Sequence, residues 1–250
     1  MSIHSDIHPR VLTRTAGALY LTIIILGFLN EVLVRGGTIV TGDAAATAAN
    51  LRSMEAMWRA GIAAHLFYLA CAVTLALILF VLLRPVNREL ALLAFSFNLV
   101  SIAIEAAMTM FLIVALLPVG GARYLEHFSQ EQLEALTMLA VRSYSYGFGV
   151  SLIFFGFECL ILGYLIARSG YLPRSLGVLT GLAGGSYLVN SFTLIAAPAL
   201  ASRLFPAILL PALVGELTLC LWLLFRGVDL TRWKPPPPGH PAAEIAAATQ

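Results

Sequence analysis

Six stretches of this chain are long and apolar enough to cross a lipid bilayer, and that property removes most architectures from consideration. They run over about 12–34, 60–83, 89–117, 144–167, 174–197 and 203–225. A hydrocarbon core ~30 Å thick takes about 20 mostly apolar residues as a helix. Inside lipid, backbone polar groups have to be satisfied within the segment itself. These runs are continuous rather than alternating, so each is a helix and not a barrel strand. Composition agrees: 60% of the residues are hydrophobic and 11% are charged, against roughly 25% charged in a soluble domain. The expected fold is all-α: a polytopic membrane protein with six transmembrane helices and an outer amphipathic helix.

Residues 1–11 then form a cytoplasmic N-terminal tail, 12–227 the six-helix transmembrane domain, and 228–250 a disordered, proline-rich cytoplasmic tail. The run PPPPGHP in that tail cannot continue a helix and favours polyproline II. The first apolar run is longer than the roughly 7–15 residues of a cleaved signal's core, so it reads as a retained helix. Arginine and lysine are dense in the tails and short turns on one side, at Arg10, Arg14, Arg84, Arg88, Arg168, Arg174, Arg226, Arg232 and Lys234. On the other side Arg35, Arg52, Arg59, Arg123, Arg142 and Arg203 are spread over longer connections. That density places both termini in the cytoplasm. No basic run interleaved with aromatics suggests nucleic acid. Cys71, Cys159 and Cys220 lie in apolar runs without CxxC spacing and read as small apolar filler.

The longest polar interruption near the start, TGDAAATAANLRSMEAMWRAG (41–61), holds the expected outer amphipathic helix, over about 44–57. Asp43 is its N-cap, Leu51, Met54 and Trp58 share one face, and Glu55 can meet Arg52 or Arg59. In the second outer connection, Ser129 and Gln132 form a capping box. The helix it opens either runs straight into the fourth span or breaks at Gly147 or Gly149. Gly177, Gly181 and Gly185 on the fifth span, and Gly149, Gly156 and Gly163 on the fourth, are small-residue stripes that let helices approach. The first, third and fifth spans each open with Arg-x-x-small-x-Leu, at Arg14/Gly17/Leu19, Arg88/Ala91/Leu93 and Arg174/Gly177/Leu179. A repeated hairpin and ordinary helix packing both account for it.

Polar groups inside the spans fall at two levels when the cytoplasmic arginines serve as a ruler at ~1.5 Å per residue. Thr74, Asn98, Glu158 and Glu216 each sit ten residues from such an arginine, near the midplane. Asn30, Glu31, His65, Glu105 and Asn190 lie higher, beneath the outer helix, with Arg59 placed to pair with Glu31 or Glu105. An acid at the bilayer centre costs about 2.5–3.5 kcal/mol on insertion scales, which makes these residues candidates for function. A structural role as hydrogen-bonded glue between helices competes with it. His65, Glu31 and Glu105 are not backed by an HxxxH or HExxH pattern, so no metal is assigned. No catalytic nucleophile motif and no cofactor fingerprint is present, so no catalytic residue and no cofactor is assigned either.

The segments GDAAATAANLRSMEAMWRAG (42–61), LLRPVNRELALLA (82–94) and FFGFECLILGYLIARSGYLPRSLGVLTGLAG (154–184) together resemble a bacterial multi-pass membrane family, domain of unknown function 4386. The resemblance covers about residues 10–225 and implies a six-helix membrane protein of bacterial origin, hence of a bacterial inner membrane; it carries no reaction, substrate or catalytic residue. Within the last motif, Gly170 suits a left-handed helix end, Pro173 the first turn of the next helix, and Tyr171 the interface.

Three functions follow as expectations. The first is a small-ligand-binding or sensory protein with a polar pocket under its outer loop. The second is a proton-linked transporter using Glu158 and Glu216, and the third an intramembrane lipid-modifying enzyme, which no motif supports. The partners expected are the lipid bilayer and a small-molecule ligand. A homo-oligomer is compatible with the sequence, and a nucleic acid is not.

Overall fold

The computed structural model describes residues 9–233, and all regular structure among them is helical. The helices are α1 (Pro9–Leu29), continued by a π-helical turn (Asn30–Arg35) and α2 (Gly36–Thr38), then α3 (Ala44–Ser53), α4 (Glu55–Leu83) and α5 (Arg88–Val114). They are followed by α6 (Gln130–Ser169), α7 (Arg174–Ala196), α8 (Pro198–Leu204) and α9 (Leu210–Phe225). Six of the helical stretches are long and apolar enough to span a membrane. The chain is a multi-pass membrane protein.

The spans close into a ring. α1 packs on α4, α4 on α5, α5 on α6, α6 on α7, α7 on α9, and α9 returns to α1. One end of the ring carries the start of α1, the 84–87 and 170–173 turns and the end of α9; we call it the terminal end. The other, the loop end, carries α2, α3, α8 and the 115–129 connection.

The inside of the ring is layered. Toward the terminal end lies an apolar cluster in which Ala16, Leu79, Leu82, Ala94, Leu165, Leu176 and Leu223 meet from every span. Toward the loop end, a second cluster joins Val34, Leu51, Trp58, Leu112, Val141 and Tyr144. Buried polar side chains occupy the level between them.

The loop end is built much as the polar stretch 41–61 leads one to expect, with one difference. Asp43 caps α3, its Oδ1 accepting from the Ala46 amide at 2.8 Å. The Val40 amide donates to Thr47 Oγ1 at 3.0 Å, and Asn50 Nδ2 donates to the Thr38 carbonyl at 3.3 Å. The helix expected over 44–57 instead breaks at Met54, so Glu55 and Trp58 belong to α4. The corner lets Leu51 and Trp58, on helices of different direction, bury in one cluster.

Across from α3 stands α6, whose 40 residues make it ~60 Å long, about twice a hydrocarbon core. Its N-terminal part carries α3. The Ser129–Gln132 capping box is formed, and the helix passes Gly147 and Gly149 unbroken.

α6 and α7 meet backbone to backbone at a glycine seam. A Cβ at Gly163 would lie 2.6 Å from the Gly177 carbonyl oxygen, and one at Gly184 would lie 2.6 Å from the Gly156 carbonyl oxygen. The α7 stripe is therefore Gly177 and Gly184, two turns apart. A Cβ at Gly181 or Gly185 would meet nothing within 4 Å. The small positions of the three Arg-x-x-small-x-Leu openings have the same explanation. A Cβ at Gly17 would strike the Leu224 backbone at 2.4 Å, Ala91 is buried, and Gly177 faces Gly163.

The sixth span begins later than residue 203. Phe205 is extended before Pro206, a short 3-10 turn (Ala207–Leu209) follows, and α9 starts at Leu210. Proline biases the residue before it away from the helix, which separates α8 from α9. At the terminal end Gly170 closes α6 at φ +72°. Pro173 stands one position earlier than expected, as the N-cap of α7. Tyr171 is not interfacial but buried, its hydroxyl donating to the Leu82 carbonyl at 2.6 Å. Residues 228–233, placed by the sequence reading at the start of the tail, pack against this turn. Val228 is buried, the Asp229 amide donates to the Tyr171 carbonyl at 3.1 Å, and the Trp233 indole reaches the Leu82 carbonyl at 3.3 Å. The proline-rich run expected beyond them lies outside the described residues.

Candidate functional site

The buried face of α5 reads Ala91, Ala94, Asn98, Ser101, Glu105, Thr109 and Leu112. The residues recur every three or four positions, so they form one stripe, and its middle is polar. From Asn98 to Glu105 the stripe climbs ~10 Å.

At its lower end, Asn98 Nδ2 donates to a carboxylate oxygen of Glu158 on α6. Glu158 is 2% exposed, and Asn98 Oδ1 is buried with no hydrogen-bond partner. One turn higher, the Ser101 hydroxyl donates to the Ser151 carbonyl at 2.8 Å. Across the ring, the Tyr187 hydroxyl donates to Glu216 Oε1 at 2.6 Å. Glu158 and Glu216 are close enough to interact electrostatically, and Tyr20 of α1 is within the same reach of both.

At the upper end Glu105 gathers groups from α4 and α6. Tyr68 donates its hydroxyl to the Glu105 carboxylate. His65 Nε2 lies 3.4 Å from Glu105 Oε1 and 3.5 Å from the Tyr144 hydroxyl. The Arg35 guanidinium lies over the Tyr144 ring, 4.7 Å from its centroid, and pairs with Glu31 at 2.9 Å. Arg35 Nε is buried and makes no hydrogen bond. The π-helical turn Asn30–Arg35 ends at Arg35, and π turns inside helices are frequent at functional sites. The same turn is held against α4 by Asn30 Nδ2, which donates to the Gly61 carbonyl at 3.3 Å.

The midplane and upper sets are therefore only partly those expected. Asn98 and Glu158 are buried and Glu216 half-buried, in two hydrogen-bonded pairs rather than one. Thr74 does not join them: it is exposed on the ring's outside, with its hydroxyl spent on the Ala70 carbonyl. His65 and Glu105 come together, with Asn30 and Glu31 in the adjoining turn. Arg59 leaves the set, because Glu55 one turn earlier captures it at 2.8 Å on an exposed face. Asn190 leaves it because α7 packs on α6 and α9 rather than on α4. The sequence reading missed Arg35, Tyr68, Tyr144 and Tyr187. Arg35 falls in an expected connection, although Glu31 four residues before it marks a helical pair. The depth ruler applies to a buried phenol as to any polar group, and it is the signal that would have found the tyrosines.

Chemically this is a layer of acids, phenols, amides and one imidazole. Its upper half can bind a polar group or pass a proton between His65, Glu105 and Tyr144. Its lower half can hold a proton on either glutamate pair.

The family described as Domain of unknown function (DUF4386) matches residues 15–227. An uncharacterized protein of Archaeoglobus fulgidus is 27% identical over 159 residues, which cover 64% of this chain and 78% of that protein. No solved structure matches the chain. The match runs from the first span to the end of the sixth, and the protein belongs to the DUF4386 family.

Proposed function

We propose that the protein is a ligand-responsive membrane protein whose site is the polar centre of His65, Glu105, Tyr68, Tyr144 and Arg35, roofed by α3. One observation carries this reading: the polar centre runs toward the loop end through Arg35, paired with the exposed Glu31, and gives way to an apolar cluster toward the terminal end. A site reached from one side suits sensing. Intramembrane ionisable groups are expensive to keep and mark function by default. The terminal end is taken to face the cytoplasm of a bacterial inner membrane. Its described residues carry eight arginines against Glu89 and Asp229, whereas acids and arginines balance at the loop end.

A thermal-shift screen of small polar metabolites against the purified protein tests the reading. Stabilising hits are expected to be lost in Glu105→Gln and Tyr144→Phe, which keep side-chain shape, and hits that persist in both variants would sink it. The same hits separate a sensor from a carrier. The pairing of Glu158 with Asn98, whose free Oδ1 could accept a hydrogen bond from the protonated acid, is the feature that favours a proton-linked carrier. Uptake of a hit into proteoliposomes, abolished by Glu158→Gln, would replace the sensor with the carrier.

A further inference from the structure

At the terminal end, where the segment after α9 passes the 170–173 turn, the surface opens into a cavity of about 400 Å³. Its walls include Gly170, Tyr171, Pro173, Trp222, Arg226 and Arg232. Most polar groups there are already engaged. The Tyr171 hydroxyl goes to Leu82, and the Trp222 indole donates to the Gly227 carbonyl at 3.0 Å. Arg232 Nη1 donates to the Gly170 carbonyl at 3.3 Å, and its Nε lies 3.5 Å from Asp229 Oδ2. The Asp229 carboxylate in the same wall also accepts from the Thr231 hydroxyl and amide, at 2.7 and 2.9 Å. Those bonds, with Arg232 beside it, hold the Asp229 carboxyl below its usual range, so it stays charged and matched to Arg232.

That leaves Arg226. Among the described residues its guanidinium makes no hydrogen bond and no ion pair, and it opens on the cavity. It follows directly on the last turn of a spanning helix, beside Phe225, which is 72% exposed. An unmatched guanidinium is thus set at the level where headgroups meet acyl chains, with apolar surface immediately above it. Arg226 also sits on the arginine-rich end of the ring, so the local field favours an anion.

We propose that this cavity binds a phosphate group, carried by an anionic phospholipid, with Arg226 as its principal ligand and Arg232 as the second wall. The arginine fork matches two phosphate oxygens at once, which an ammonium cannot do. The exposed Phe225 and the ring of Trp222 would lie along the first carbons of the chains.

Native mass spectrometry of the full chain tests this, after purification into mixed phosphatidylcholine and phosphatidylglycerol. Retained phosphatidylglycerol is expected to exceed phosphatidylcholine several-fold in the wild type and to lose that excess in Arg226→Gln. Arg168→Gln, at the same end but outside the cavity, is expected to keep it. Equal loss in both variants would reduce the effect to general surface charge and overturn the site, as would equal retention of the two lipids by the wild type. Displacement of the lipid by millimolar inorganic phosphate would overturn the lipid as source in favour of a free-phosphate site. Arg226→Lys, which keeps the charge and loses the fork, is expected to retain an intermediate excess. If it retained the whole excess, the fork would have no part in recognition.

Discussion

Trp58→Ala is expected to cost about 3–5 kcal/mol of stability, among the largest effects of any single side-chain truncation in this protein. Trp58 is 1% exposed and lies where α3, α4, α5 and the raised part of α6 meet. Its indole nitrogen also donates to the Leu112 carbonyl at 2.9 Å. That carbonyl is in the last turn of α5, where Leu116 bonds to Ile113 instead and leaves Leu112 without a helical donor. The tryptophan therefore fills volume and satisfies an orphaned helix-end acceptor. Trp58→Phe separates the two contributions: it keeps most of the volume, and the buried carbonyl alone should cost about 1–3 kcal/mol. Thermal unfolding in detergent, followed by size-exclusion of the folded fraction, measures both. A Trp58→Ala protein as stable as the wild type would mean that the α3 roof contributes nothing to the fold.

The second large effect is expected at Gly163. A leucine there drives its Cβ into the Gly177 carbonyl oxygen and the Gly181 amide nitrogen, at 2.6 and 2.7 Å. Both obstacles are backbone, so no rotamer change relieves them and α6 has to part from α7. Overpacking of a tight contact costs about 1–3 kcal/mol and more where nothing can yield. In a bilayer, where packing rather than water holds spans together, the folded fraction should fall sharply. Gly181→Ala and Gly185→Ala are the controls. Both add a methyl to open space on the same helix, and their unfolding midpoints should stay at or above the wild type. Equal losses at Gly163 and Gly181 would mean that the seam is elsewhere.

This contrast shows where sequence stops being informative. The spans were legible because lipid imposes one rule on every backbone group, and the helix caps at Asp43 and Ser129 because capping is local chemistry. Which glycines form the seam was not legible, since Gly177, Gly181 and Gly184 are equally small and only the direction of α6 distinguishes them. The depth of polar groups could be counted from the arginines, and that placed Asn98 level with Glu158 and His65 with Glu105. The facing direction could not be counted. Thr74 shares the level of Asn98 yet looks out to lipid. Arg59 has the depth expected of it but is held on the outside by Glu55, while Arg35, read as loop, turns inward at the end of a π turn. Start points failed at Met54, where the corner serves tertiary packing, and at Pro206, whose local effect on Phe205 a count of apolar residues overlooks.

The ring order has a consequence for how such a chain is made. α1 leaves the ribosome first, but the backbone it packs against at Gly17 is that of Leu224, in the sixth span. Until α9 arrives, the small face of α1 has no partner and Tyr187 on α7 lacks Glu216. Four helices, α4 to α7, can assemble as they enter the bilayer, each on its predecessor. The first must wait beside them, held on α4 alone. Closure is thus a single late event, and a nascent chain stalled before residue 210 would be inserted yet incomplete, a natural target for membrane quality control.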